Sequence, residues 1–172
     1  MSLSRRDFFR LTGAGAATTI ATGALAQDVT QGRDGGSDRP DYPVTQIATV
    51  ADLTVNQPVS FTYPDSRSLC SLLKCGEPVP GGVGPGRDIV AFSILCPHMG
   101  CPTSYQPESR RFRCGCHFSL FDPEMGGQQI MGQATQDLPQ VTLRWDESSG
   151  AIHAVGMTGL IYGRQSNILP EA

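Results

Sequence analysis

Between Val44 and Tyr162 the chain alternates short apolar runs with turn residues, and the runs have the length of strands. They cover 44–50, 59–63, 69–74, 89–95, 111–114, 141–145, 151–155 and 159–162. Most are rich in Val, Ile, Leu, Thr or aromatic residues and are bounded by Gly, Pro, Asp or Ser, which suits a pleated, half-buried backbone. After residue 26 no stretch keeps apolar positions at helical spacing for three turns. The pattern predicts an all-β fold, a sandwich or small barrel. Its clearest local feature is a hairpin. Val141-Thr142-Leu143-Arg144-Trp145 and Ala151-Ile152-His153-Ala154-Val155 alternate, and the stretch from Asp146 to Gly150 carries turn chemistry. The stretch from Gly76 to Gly86 holds too much Gly and Pro for a helix or a central strand, so a long functional loop is expected there.

Residues 1–26 read as an address rather than as part of this fold. Ser4-Arg5-Arg6-Asp7-Phe8-Phe9-Arg10 resembles the twin-arginine export motif, the run from Leu11 to Ala26 is weakly apolar, and Ala24-Leu25-Ala26 fits a small-x-small cleavage site. Gly13, Gly15 and Gly23 interrupt a run already short against the ~20 residues of a membrane span, so cleavage is expected over retention as an anchor. Residues 27–43 are polar without apolar period and are expected to be a flexible arm, leaving one domain over 44–172. The implied location is the periplasm, reached by a route that carries folded proteins, often with their cofactor in place. The formal charge of -3 and pI near 5.5 give no electrostatic reason to expect nucleic acid or an anionic membrane as partner. A protein partner or a small substrate fits better.

Six cysteines accompany only three histidines, and metal-binding residue types concentrate in two segments. These are Cys96-Pro97-His98-Met99-Gly100-Cys101 and Cys114-Gly115-Cys116-His117-Phe118-Ser119, each at the end of an expected strand. Two thiolates and two imidazoles could bind zinc tetrahedrally, or could divide between the irons of a [2Fe-2S] cluster. The ligand types alone leave both open. The spacing C-x-H, fifteen residues, C-x-x-H differs from that of Cys2His2 fingers and is the pattern of Rieske domains.

The two segments therefore resemble the Rieske family. The resemblance implies a β sandwich or barrel carrying a small cluster-binding subdomain of two loops, with one [2Fe-2S] cluster held by Cys96, His98, Cys114 and His117. It also implies a disulfide between Cys101 and Cys116, as in Rieske proteins of the cytochrome bc type. Replacing two thiolates by neutral imidazoles raises the potential to about -150 to +300 mV, against about -400 mV for plant-type ferredoxins. Ser119 matches a family serine expected to donate to a bridging sulfide. Phe121 stands where high-potential relatives have a tyrosine that bonds a ligand sulfur, so an intermediate potential is expected. Phe118 stands where glycine usually follows the second histidine.

The resemblance extends further. Lys74-Cys75-Gly76-Glu77-Pro78, Gly81-Gly82-Val83-Gly84-Pro85, Asp88-Ile89-Val90-Ala91-Phe92-Ser93 and Cys96-Pro97-His98-Met99-Gly100-Cys101-Pro102 are similar to the small Rieske subunits of arsenite oxidases. That implies a large molybdopterin subunit where arsenite is oxidised, with electrons relayed through this chain to a periplasmic cytochrome c or azurin-like acceptor. The alternatives are the quinol-oxidising Rieske subunit of a cytochrome bc complex and, in another class, a structural zinc module. The remaining candidates carry less. Cys70 and Cys75 are expected as buried thiols at least as readily as a disulfide, because an intervening strand holds them apart. His153 is expected to pack in its strand. Arg110, Arg111 and Arg113 are expected on a solvated strand face, with steering of an acidic partner as the alternative.

Overall fold

The structure is a computed structural model that describes residues 41–168. The export segment expected over 1–26, and the arm over 27–43 up to residue 40, lie outside the described residues. Ten strands form in chain order: β1 (Thr45–Thr49), β2 (Val59–Thr62), β3 (Leu69–Lys74), β4 (Ile89–Ser93), β5 (Thr103–Gln106), β6 (Arg111–Cys114), β7 (Leu120–Asp122), β8 (Gln128–Met131), β9 (Gln140–Trp145) and β10 (Ala151–Thr158). Two single turns of 3-10 helix, Val50–Asp52 and Pro123–Met125, are the only helical elements among the described residues. The all-β expectation holds.

The strands make two antiparallel sheets. One has six strands in the order β1-β10-β9-β4-β3-β2, and the other has four in the order β5-β6-β7-β8. The expected hairpin joins β9 to β10. Its turn is closed by Asp146, whose Oδ1 accepts from the amides of Ser148 and Ser149, and by Gly150 at φ 72°.

Strand β4, Ile89-Val90-Ala91-Phe92-Ser93, explains how the sheets meet. It reads as continuously apolar rather than alternating because both of its faces are buried. Ile89 and Ala91 point into one core with Leu72, Val141, Leu143, Ile152 and Tyr63. Val90 and Phe92 point the other way, into a second core with Leu73, Phe112, Phe121 and the cysteines Cys96 and Cys114. The Phe112 ring stands edge-on to Phe92 and to Tyr105, with ring centroids 6.1 and 5.2 Å away. Such pairs add about 0.5–1.5 kcal/mol each beyond area burial.

Polar clamps reinforce this contact. Tyr105 donates to Asn56 Oδ1 at 2.6 Å, and Asn56 Nδ2 donates to the Pro107 carbonyl at 3.2 Å. Arg110 pairs with Glu124 at 2.6 Å and donates to the Cys75 carbonyl, while Arg111 pairs with Asp122 at 3.0 Å. These two arginines thus leave the solvated face expected of them and tie β6 to its neighbours. Among the described residues, Arg113 alone of the three has no ion pair.

The structure differs from the sequence pattern at two further places. Three short strands, β5, β7 and β8, were not anticipated. Residues 159–162, expected as a strand, instead begin a strap tied to Tyr42 and Asp65. Gly159 and Gly163 sit at φ 80° and 79°, which ends strand geometry on both sides of Ile161. The Ile161 amide donates to Asn167 Oδ1 rather than to a neighbouring strand, and Asn167 Nδ2 donates to Gly159 O and to the Tyr42 hydroxyl. Arg164 forks onto the Asp65 carboxylate at 2.6 and 3.1 Å.

The hydrogen-bonded guanidinium of Arg164 holds the Asp65 carboxyl far below its usual 3.8. A carboxylate depressed in the native state contributes stability that is complete above its unfolded value and is lost as pH falls through the native one. Asp65→Asn is therefore expected to lower the melting temperature at neutral pH, and the difference from the parent protein should shrink steadily below about pH 4. A difference independent of pH would contradict the role given to this pair.

Candidate metal centre

Two loops carry the chemistry. The first leaves β4 and is closed at its base, where Leu95 bridges to Pro102 and the Thr103 amide donates to the Ile94 carbonyl at 2.7 Å. Within it the Cys96 amide donates to Cys101 O at 2.9 Å and the Gly100 amide to Cys96 O at 2.8 Å, with Gly100 at φ 74°. The second loop joins β6 to β7 and is closed by the Cys114 amide donating to Ser119 O at 2.9 Å. A disulfide between Cys101 and Cys116 staples the loops together, with an S–S distance of 2.05 Å and Cα atoms 6.5 Å apart.

The staple puts two kinds of donor at two levels. Cys96 and Cys114 are buried in the second core. His98 is half-buried, His117 is exposed, and their rings stand edge to face with centroids 4.7 Å apart. The sulfur atoms of Cys101, Cys114 and Cys116 lie within 4.8 Å of one another, but the disulfide engages two of them and leaves only Cys114 free to coordinate.

Two local observations fit a metal group here. His98 Nδ1 is buried without a hydrogen-bond partner among the described residues, which costs free energy unless something binds it. Burial, followed by the neighbouring Cys114, pushes the Cys96 thiol up, while the backbone amides of His98 and Met99 pull it the other way. A buried pair of cysteines with amides aimed at one sulfur is arranged to hold negative charge once a cation compensates it.

The surroundings place Ser119 and Phe121, the residues expected to tune a cluster. Ser119 is fully buried, and its Oγ accepts from the Ala134 amide at 3.0 Å. That bond uses an acceptor site and leaves the hydroxyl proton free to donate. Gly132, just before it, is compelled: at φ 97° a Cβ would lie 2.4 Å from Ser119 Cα. The segment 132–134 therefore forms a third wall, which sequence reasoning missed and whose signal is this glycine. Phe121 is fully buried opposite Phe112, in the same core as Cys96 and Cys114.

Phe118 adopts φ 58°, a region that disfavours a side chain. Its ring is exposed, lies 5.3 Å from the Arg113 guanidinium carbon and lines an open depression with Leu120 and Met131. The remaining cysteines are free and buried. Cys70 donates to Tyr63 O and its thiol is pushed up to about 12 by burial, and that of Cys75 to about 11. They sit in different cores, with no pairing between them.

Comparison with known proteins agrees with this geometry. Residues 45–142 match the family model described as Rieske [2Fe-2S] domain. The chain is 40% identical over 134 residues to iodate reductase subunit IdrB of Denitromonas iodatirespirans, covering 75% of this chain and 70% of that one. It is 36% identical over 133 residues to iodate reductase subunit IdrB of Pseudomonas sp. strain SCT, covering 74% and 67%. The soluble domain of Rieske protein II (soxF) from Sulfolobus acidocaldarius superposes with a TM-score of 0.65 at 25% identity, covering 72% of this chain and 82% of that one.

Hydrogen bonds to cluster sulfur stabilise the more negative reduced state. Ser119→Ala is therefore expected to lower the midpoint potential and Phe121→Tyr to raise it, both read by redox titration. Unchanged midpoints in both variants would refute the tuning roles.

Proposed function

The chain belongs to the Rieske [2Fe-2S] domain family, and we propose that it serves as the electron-transfer subunit of an oxyanion oxidoreductase whose substrate site lies on a large molybdopterin subunit. Within that reading Cys96, Cys114, His98 and His117 would hold the [2Fe-2S] cluster, two thiolates and two imidazoles between its irons. When bound, the cluster takes up and releases one electron at a time at a moderate potential.

The observation that carries this reading is the layering of the donors. The Cys96 and Cys114 side chains are sealed in the core while the His117 imidazole reaches the surface, so a partner can approach the site from the histidine side. The disulfide fixes the two loops against each other. Ser119 is fully buried, and with its oxygen accepting from the Ala134 amide its hydroxyl proton is available to donate. These residues hold a geometry and a field, and the chemical transformation takes place elsewhere.

The resemblance to arsenite oxidase small subunits supports arsenite oxidation by the large subunit, with onward transfer to a periplasmic cytochrome c or azurin-like carrier. The 40% identity to an iodate reductase subunit supports a second reading, in which electrons run the other way, from a carrier through this chain to a partner that reduces iodate. EPR of the native complex separates them. Under the first reading, arsenite added to the oxidised complex produces the reduced-cluster signal. Under the second, iodate added to the reduced complex abolishes it. A native protein that co-purifies with b- and c-type cytochromes and no molybdenum would overturn both and favour quinol oxidation.

Residues 1–26 support export to the periplasm by the twin-arginine route. Replacing Arg5 and Arg6 together by Lys is expected to leave the protein in the cytoplasmic fraction. Unchanged periplasmic recovery would contradict this assignment.

A further inference from the structure

The first ligand loop is held from outside by a residue that no motif contains. Gly100 is the tight point of that loop, in left-handed conformation between His98 and Cys101. A Cβ added there would lie 2.5 Å from Tyr162 Cδ1 and 2.6 Å from Cε1, so the Tyr162 ring rests directly on the Gly100 Cα. Tyr162 comes from the strap, which is anchored independently of the cluster loops. Ile161 is fully buried, Asn167 is buried and bonds Ile161, Gly159 and Tyr42, and Arg164 grips Asp65. Asp65 is fixed in turn by the Arg67 amide and the Ser68 hydroxyl. A rigid anchor thus carries one aromatic ring onto the backbone two residues from a ligand.

We infer that Tyr162 is a positioning residue for the cluster: its ring clamps Gly100 and thereby fixes where His98 and the Cys101 half of the staple stand. The Tyr162 ring, 40% exposed on its outer side, meets the first loop at Gly100. The disulfide restrains Cys101 but not the run Pro97-His98-Met99, where the backbone bond from Gly100 to Cys96 O is the loop's own tie. Without the ring, that turn is free to open. With any side chain at position 100, the ring and the loop cannot both keep their places. The inference rests on the cluster alone and is independent of whether the partner acts on arsenite, iodate or quinol.

The test measures cluster loss from the holoprotein in excess ferrous chelator, followed by visible absorbance, together with the EPR g-values of the reduced state. Outer contacts of metal ligands typically alter metal affinity about 10- to 100-fold. Tyr162→Ala is expected to speed cluster loss about tenfold and to shift the g-values. Tyr162→Phe keeps the ring and should match the parent in both readouts. If the alanine variant does not accumulate, Tyr162→Leu supplies the same comparison.

Gly100→Ala should speed loss strongly when Tyr162 is present and much less in the Tyr162→Ala background. The cost of a side chain at positive φ is common to both backgrounds and cancels. Parental rates and g-values in Tyr162→Ala or Tyr162→Leu would overturn the inference. So would an equal effect of Gly100→Ala in the two backgrounds, or a loss of thermal stability with unchanged g-values.

Discussion

Burial of β4 on both faces is the constraint from which the rest of the molecule follows. One side of Ile89-Val90-Ala91-Phe92 completes the core of the six-stranded sheet, and the other receives the four-stranded sheet through Phe92, Phe112 and Phe121. The first ligand loop is the direct continuation of this strand, so Cys96 enters the second core already oriented. The second loop hangs from β6 and β7, the strands that bear Phe112 and Phe121. Packing Phe112 and Phe121 against the Phe92 face of β4 therefore sets the distance between the loops, and the disulfide secures it.

The same packing separates the two chemical levels of the centre. Cysteine sulfur is stable in an apolar core and imidazole at a boundary, and the loops meet where the core reaches the surface. The two cysteines stay inside, while the His117 imidazole points out. Ser119 sits between these levels, held by the Ala134 amide, where one oriented hydroxyl acts in a low-dielectric setting.

Much of this was legible in the sequence, for reasons that also mark the limit. Strands with an apolar face, such as β9 and β10, announced themselves by period. The two loops announced themselves by residue type and spacing, and the structure sets Cys96 beside Cys114 in the second core and the His98 ring against that of His117. Strands β5, β7 and β8 were silent, because Thr-Ser-Tyr-Gln, Leu-Phe-Asp and Gln-Gln-Ile-Met are short and mostly half-exposed, and their pairing is set by the loops between them. Arg110 and Arg111 looked solvated because Glu124 and Asp122 become their neighbours only once β6 pairs with β7. Residues 159–162 looked like a strand because Leu160, Ile161 and Tyr162 are apolar. A buried asparagine six residues on from Ile161 takes the backbone bond that a strand would have used.

In the proposed centre two imidazoles and two cysteines share one binuclear cluster. Pulsed EPR of the reduced protein, labelled with ¹⁵N only in histidine, measures this directly. Couplings from two distinct histidine nitrogens are predicted, both absent when His98 and His117 are replaced together and both retained when His153 is replaced. A reduced-cluster signal with no histidine nitrogen coupling would contradict the assignment.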